Sequence, residues 1–195
     1  MVKDKISRRR FIGQSVKATA GISLGIAGAP AILKSLSPSE TINIGMIGTG
    51  DRGAWEAYIL QSVPQIRLIA CCDILPSHLQ NGLEQAEPNA KGYEDYRKLL
   101  ENKDLDAVII ATPLHLHYQM AVDALDAGLH VFSEKTMTYD IPQANQLKTK
   151  VEDSKKTFMV GYQLRSNPLL QKVKEMIDEG ACGTITHVRC SYHRN

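Results

Sequence analysis

The stretch that decides the fold runs from Thr41 to Gly53 and reads T-I-N-I-G-M-I-G-T-G-D-R-G. Its first seven residues are mostly apolar and predict a short buried strand, and its last six fit the spacing G-x-G-x-x-G. In a strand–turn–helix unit, Gly48 permits the tight turn, Gly50 leaves room for a pyrophosphate and Gly53 lets the helix pack closely on the strand. The pyrophosphate then lies at the positive end of the helix dipole. The predicted cofactor contacts in this turn are Gly48, Thr49, Gly50, Asp51, Arg52 and Gly53.

An acidic residue follows at the distance expected for a dinucleotide-binding unit. Asp73 lies 20 positions after Gly53 and ends a second apolar run at 66–72. A carboxylate at that point accepts hydrogen bonds from the ribose hydroxyls of the cofactor, which favours NAD over the 2′-phosphorylated NADP. The alternative is an ordinary strand–helix turn in which Asp73 caps the next helix.

The formal charge of +2 on the 195 residues hides an uneven distribution. The first 35 residues carry seven Lys and Arg against one Asp, so the rest of the chain has a net charge near −4. A chain with this balance and no basic patch is not expected to bind nucleic acid. The four cysteines show no C-x-x-C spacing, and we expect no metal site.

Residues 1–35 are predicted to be an export signal that is separate from the fold. Residues 7–13 read S-R-R-R-F-I-G and resemble the twin-arginine signature S-R-R-x-F-L-K, and residues 18–33 are small and weakly apolar. Such a segment is too short for a membrane span and suits the core of a signal peptide. The resemblance implies the twin-arginine export machinery as a partner and a periplasmic location, with membrane anchoring if the signal stays uncleaved. A basic tail without a targeting role is the alternative.

Strands and helices alternate after the signal and predict an α/β fold, a Rossmann-type doubly wound parallel sheet, at 41–162. Strands are predicted at 41–47, 66–72, 106–111, 129–132 and 158–160, with a brief extended piece near Tyr93. The first helix is predicted at 54–61. The pattern changes after residue 162, because an amphipathic helix follows Pro168 and residues 184–192 alternate like a strand with one polar face. We therefore predict that residues 163–195 begin a second, α+β domain that the chain does not complete.

Three ordered motifs resemble the glucose–fructose oxidoreductase / inositol dehydrogenase family (Gfo/Idh/MocA). They read A-T-P-L-H-L-H at 111–117, G-L-H-V-F-S-E-K at 128–135 and G-Y-Q-L-R-S-N-P at 161–168. The matching family patterns are A-T-P-x-x-x-H, G-K-H-V-x-x-E-K-P and G-x-x-x-R-F-x-P. The resemblance covers residues 42–195 and implies that the second domain serves substrate binding and oligomerisation, so a homo-oligomer is expected for the full-length protein.

The resemblance also assigns roles to residues that follow the fourth and fifth strands. It places Thr112 and Pro113 beside the nicotinamide ribose and Glu134 in contact with it. It makes Lys135 catalytic, since the ammonium would hydrogen-bond the substrate hydroxyl and stabilise oxyanion character during hydride transfer. Thr136 stands where the family usually has proline, which leaves the lysine in place.

Two histidines and an arginine complete the predicted site. His117 is predicted to be catalytic, while His115 and Arg165 are predicted cofactor contacts. The alternative for each histidine is a residue at the start of a helix with a satisfied hydrogen bond, and for His115 this alternative is preferred. Leu164 replaces a second basic residue often found in the family, so no role is carried over there.

These observations favour an exported oxidoreductase that uses NAD rather than NADP. Hydride would pass between nicotinamide and a sugar, a sugar derivative or a cyclitol, and this fragment alone is expected to be inactive. One alternative is a glycosidase that uses bound NAD for transient oxidation and elimination. The family's glycosidase branch usually lacks the Glu-Lys element, so Glu134 and Lys135 favour the dehydrogenase. A non-catalytic NAD-binding protein is the other alternative.

Overall fold

Strands and helices alternate along the computed structural model, which describes residues 41–191. The strands are β1 (Ile42–Ile47), β2 (Ile66–Cys72), β3 (Lys91–Tyr93), β4 (Ala107–Ile110), β5 (His130–Ser133) and β6 (Phe158–Val160). The helices are α1 (Asp51–Leu60), α2 (Pro76–Glu84), α3 (Tyr96–Leu100), α4 (Leu114–Asp126), α5 (Ile141–Ser154) and α6 (Pro168–Asp178). A short 3-10 helix, Gln163–Ser166, precedes α6. The predicted export signal lies outside the described residues.

The six strands form one parallel sheet in the order β3-β2-β1-β4-β5-β6. The chain runs outward from β1 through β2 to β3, and then returns to pair β4 with the other side of β1. The strand order therefore reverses between β1 and β4, and open parallel sheets bind ligands at the carboxyl edge of such a switch point. This topology confirms the predicted Rossmann-type fold.

The core lies on both faces of the sheet, which explains why the strands read as continuous apolar runs. Met46 and Ile47 are neighbours in β1, point to opposite faces and are both fully buried. On one face Ile47 packs in a cluster with Leu125 of α4 and Leu147 of α5. On the other face Met46 packs in a cluster with Ala57 of α1. Helices thus cover both faces and fix the positions of the turns at the sheet edge.

Two predicted elements differ from the structure. The first helix begins at Asp51, directly from the glycine turn, and not at Ala54 as predicted. The predicted strand at 184–192 is wrong over the described residues 184–191, which form no strand and are exposed. An alternating pattern shows which face would be polar, but a strand forms only where a neighbouring strand accepts its backbone hydrogen bonds. Within 41–191, none of the helices has the length and apolar character needed to cross a membrane.

Candidate cofactor site

A crevice of about 910 Å³ opens at the carboxyl edge of the sheet, at the switch point between β1 and β4. Four segments form its walls: the glycine turn after β1 and the residues that follow β2, β3 and β4. Eight of the fourteen predicted site residues line it: Gly48, Gly50, Asp51, Arg52, Asp73, Thr112, Pro113 and His115. The crevice therefore brings together parts of the chain that are more than 60 residues apart in sequence.

The glycine turn is fixed by two positions that admit no side chain. Gly48 has φ +88°, and a Cβ there would lie 2.7 Å from the carbonyl oxygen of Ala111. A Cβ on Gly53 would lie 1.9 Å from the carbonyl oxygen of Gly48. By contrast, a Cβ on Gly50 would come no closer than 3.3 Å to the side chain of His78. The fold itself thus requires the first and third glycines, and a Cβ on the second would make a tight contact with the side chain of His78 where Gly50 lines the crevice.

The N-terminus of α1 faces this crevice without a side-chain cap. Gly50 occupies the cap position, and no side chain accepts a hydrogen bond from the first turn. The first backbone N–H groups of a helix have no intrahelical acceptor, and the helix dipole favours an anion beside them. An uncapped helix end beside a glycine that lines the crevice fits the pyrophosphate of a dinucleotide.

Asp73 joins the glycine turn to the segment after β2. One carboxylate oxygen accepts a hydrogen bond from the Thr49 backbone N–H at 2.8 Å, and the other accepts one from the Leu75 N–H at 3.0 Å. The N-cap of α2 is Leu75, so Asp73 lies before the helix and is not its cap. Each carboxylate oxygen keeps a second lone pair, and Asp73 lines the crevice, so it can still accept a hydrogen bond from a ribose hydroxyl.

One wall of the crevice was missed in the sequence analysis. Ile74 is 81% exposed and Leu75 is 48% exposed, and both line the crevice beside Tyr96 and Arg97 at the start of α3. The signal was available, because Ile74 and Leu75 are apolar and lie outside any regular element, directly after the strand-ending acid. Such an apolar surface is suited to packing against a flat aromatic ring.

His117 lies beneath the crevice and does not line it. The residue is 1% exposed, and its two ring nitrogens lie 2.8 Å from the carbonyl oxygens of Thr112 and Thr136. A neutral imidazole can donate to one of these oxygens, and an imidazolium can donate to both. His117 therefore links the turn after β4 to the segment after β5. Its catalytic role stays a prediction, and His115 is the histidine on the crevice wall.

The carboxylate of Glu134 is held by Arg52 across the sheet edge. Nη2 of Arg52 lies 2.6 Å from Oε1 of Glu134 and 2.5 Å from Oε1 of Glu56, one helical turn along α1. Burial favours the neutral form of Glu134, but hydrogen bonds from Arg52 and Glu56 outweigh it and hold the pKa of Glu134 below its ordinary value. Burial and the hydrogen bond to Glu134 raise the pKa of Glu56 to about 7.

Lys135 and Arg165 are two of the six predicted residues that do not line the crevice, and the other four are Thr49, Gly53, His117 and Glu134. Lys135 is exposed beside Glu134, and its ammonium has no hydrogen bond or ion pair with any side chain in the range 41–191. Arg165 lies in the 3-10 helix, where its guanidinium stands over the ring of Tyr162 at 5.5 Å. Within residues 41–191, no group of three or more His, Cys, Asp or Glu side chains is placed to hold a metal ion.

Comparison with known proteins gives the family. The family model GFO_IDH_MocA, described as "Oxidoreductase family, NAD-binding Rossmann fold", matches residues 42–162. An uncharacterized oxidoreductase, YrbE of Bacillus subtilis, is 29% identical over 75% of this chain and 42% of its own length. The glycosyl hydrolase family 109 protein 1 of a Shewanella species (strain ANA-3) is 27% identical over 96% of this chain and 46% of its own length.

Two solved structures are similar in fold and carry different cofactors. The scyllo-inositol dehydrogenase of Lactobacillus casei with NAD(H) and scyllo-inositol is 30% identical, with a TM-score of 0.69, over 75% of this chain and 44% of that one. The 3-ketoreductase KijD10 of Actinomadura kijaniata with NADP is 31% identical, with a TM-score of 0.65, over 72% and 43%. The chain thus spans less than half the length of the curated relatives it matches.

Proposed function

Because the chain belongs to the Gfo/Idh/MocA oxidoreductase family, with an NAD-binding Rossmann fold, we propose that it is the cofactor-binding part of an NAD-dependent dehydrogenase. The substrate class is a sugar, a sugar derivative or a cyclitol, and the reaction is hydride transfer at a CH–OH carbon. The observation that carries the proposal is the uncapped N-terminus of α1, which opens on the switch-point crevice next to Asp73.

The residues of the crevice bind and orient the cofactor. Backbone N–H groups at the start of α1 hold the pyrophosphate, and the crevice that Gly50 lines admits it. Asp73 accepts hydrogen bonds from the adenosine ribose, and a negative charge there opposes a 2′-phosphate, which is why we propose NAD over NADP. The exposed side chains of Ile74 and Leu75 pack against the adenine.

The segment after β5 provides the chemistry. When bound, the nicotinamide accepts or gives a hydride at C4. Glu134 contacts the nicotinamide ribose, and Lys135 hydrogen-bonds the substrate hydroxyl. The ammonium of Lys135 is exposed and unpaired within residues 41–191, so it is free to form a hydrogen bond with a substrate. It lowers the barrier by stabilising negative charge on the oxygen as the hydride leaves.

The remaining parts of the proposal concern residues on either side of the Rossmann domain. We propose that residues 1–35 direct twin-arginine export to the periplasm, on the basis of the S-R-R-R-F motif. Residues from 163 onward begin the domain that binds substrate and forms the oligomer. The apolar side chains of α6, from Leu169 to Ile177, are exposed, which suits a helix that packs against further structure.

The test is a substrate screen on the full-length protein with NAD and NADP. Sugars, sugar acids and cyclitols are supplied singly, and reduction of the cofactor is followed by absorbance. Oxidation of at least one compound with net reduction of NAD is expected. Net reduction of neither cofactor by any compound, with cofactor binding intact, would contradict the dehydrogenase proposal.

A second candidate is an NAD-dependent glycosidase that acts by transient oxidation and elimination. The observation that favours it is the similarity to the family 109 glycosyl hydrolase protein, which extends over 96% of this chain. The Glu134–Lys135 pair favours the dehydrogenase. Chromogenic glycosides added to the same screen separate the two, because cleavage without net NAD reduction is the result expected of the glycosidase.

A further inference from the structure

Glu56 has no role in the proposed chemistry, yet it is bound to the same guanidinium as Glu134. Its side chain is 13% exposed, and that of Glu134 is 7% exposed. Nη2 of Arg52 carries two hydrogens, so it can donate one to each carboxyl group. The contact joins α1 to the end of β5 over 82 positions of sequence, and it ends at the residue before Lys135.

The surroundings leave Glu134 dependent on this contact. Its second oxygen accepts a hydrogen bond from the backbone N–H of Lys135 at 3.2 Å, so the carboxylate also fixes the start of the Lys135 segment. A Cβ on Gly161, at the end of β6, would lie 2.8 Å from Oε1 of Glu134, which shows how closely the chain passes that oxygen. Movement of the carboxylate away from Arg52 would therefore disturb the Lys135 backbone.

We propose that Arg52 and Glu56 are positioning residues that hold the Glu134 carboxylate, and through it the Lys135 segment, at the nicotinamide end of the crevice. This inference rests on the proposed dehydrogenase function. Protonated Glu56 donates a hydrogen bond to Glu134 and leaves the charge of Arg52 to that carboxylate alone. Ionised Glu56 competes for Arg52 and repels Glu134, so the contact between Arg52 and Glu134 weakens.

The pKa of Glu56, raised by burial to about 7, places this change near neutral pH. The charged groups that face Glu56 are Arg52 on its own helix and Glu134 at the end of β5. His130 of β5 lines the same shallow groove as Glu56, and its Nδ1 accepts a hydrogen bond from the Thr157 N–H. NADH affinity is therefore expected to fall as the pH rises through about 7.

The experiment measures NADH affinity of the full-length protein by fluorescence titration at a series of pH values on both sides of pH 7. Glu56→Gln keeps a hydrogen-bond donor to Glu134 and cannot ionise, so its affinity should stay near the low-pH value of the wild type throughout. Arg52→Gln removes the charged contact with Glu134. NADH binding should therefore weaken about tenfold at all pH values, because one charge-assisted hydrogen bond is lost. Glu152→Gln, in the exposed Lys148–Glu152 pair of α5, is the matched control and should follow the wild type.

The outcomes separate this inference from the proposed function. Wild-type protein that binds neither NADH nor NADPH overturns both. If the wild type binds NADH and Glu56→Gln shows the same pH profile of NADH affinity, the positioning role is overturned. The proposed function is unaffected by that result. Far-UV circular dichroism identifies any variant that fails to fold. If Glu56→Gln fails to fold, the Glu56→Asp variant takes its place. Because that variant retains a titratable group, its NADH affinity must depend on pH.

Discussion

The turn after β1 and the turn after β5 are joined by the contact between Arg52 and Glu134, but they are held in different ways. Backbone geometry holds the first, because the carbonyl oxygens of Ala111 and Gly48 leave no room for a Cβ on Gly48 or Gly53. Side chains from distant parts of the chain hold the second. Arg52 contacts Glu134, and His117 contacts the carbonyl oxygen of Thr136.

The difference separates a turn that is fixed by backbone geometry from a turn that is held by ionisable side chains. The turn after β1 needs only its own backbone to present N–H groups to an anion, so its geometry should not depend on pH. The turn after β5 relies on the guanidinium of Arg52, which Glu56 shares with Glu134. Because burial raises the pKa of Glu56 to about 7, the geometry of this turn can change near neutral pH. Mutations of the buried glycines in the first turn should abolish binding or folding. Mutations of the residues that hold the second turn should affect turnover and the pH dependence of NADH binding.

The largest effect is expected at Lys135. Replacing Lys135 with Met in the full-length protein should lower kcat by about 10²- to 10⁴-fold, because the group that stabilises the developing oxyanion is lost. NADH affinity should change little, since the ammonium is exposed and outside the crevice lining. Steady-state kinetics and NADH titration measure the two separately. The matched control is Lys148→Met on α5, and equal activity of the two variants would remove Lys135 from the mechanism.

The next effect tests the backbone of the first turn. Gly48 and Gly128 both have positive φ, +88° and +81°, but only Gly48 has atoms within 4 Å of the Cβ position. Gly128→Ala should cost about 1–2 kcal/mol of unfolding free energy from backbone strain alone. Gly48→Ala should cost about 3–5 kcal/mol, since the clash with Ala111 adds to that strain. Equal losses in urea unfolding would show that the turn relaxes and that its geometry is not fixed.

A smaller effect is expected at Asp73, which contributes both to the glycine turn and to the proposed ribose site. Asp73→Asn keeps an acceptor for the Thr49 N–H but removes the charge, so NADH affinity should fall about tenfold. NADPH affinity should fall less or rise, because a 2′-phosphate no longer meets a carboxylate. Parallel titrations with both cofactors give the ratio, and Asp126→Asn on α4 is the control. An unchanged ratio would show that Asp73 does not select the cofactor.

The smallest effect is a pH dependence of stability that comes from Glu56. Its pKa is raised from 4.5 to about 7 in the folded protein, so between these values the folded state holds a proton that the unfolded chain releases. The stabilising difference is greatest below about pH 4.5 and is lost as the pH rises through about 7. Urea unfolding across that window should show a steeper decline for the wild type than for Glu56→Gln. Parallel curves for the two proteins would be evidence against the shifted pKa.

The sequence was sufficient for the fold and for the first turn because both depend on local pattern. Apolar runs, glycine spacing and the acid after β2 lie within about thirty residues of one another and predict their own geometry. The contact from Arg52 to Glu134 could not be predicted, because it depends on how β5 is placed beside β1 by way of β4. The incorrect prediction of a strand at 184–191 has a related cause. Alternating apolar and polar residues indicate which face of a strand would be polar, but they do not show whether a second strand is present to pair with it.

The most direct test of the central claim is amide hydrogen exchange of the full-length protein with and without NADH. The account predicts slower exchange at residues 48–53 and 73–75 when NADH is present, because these backbone groups line the proposed pyrophosphate and ribose sites. Exchange in α6 should stay unchanged, since Leu169–Ile177 lies outside the crevice lining. Protection confined to other segments, or no protection at saturating NADH, would contradict the assignment of this crevice as the dinucleotide site.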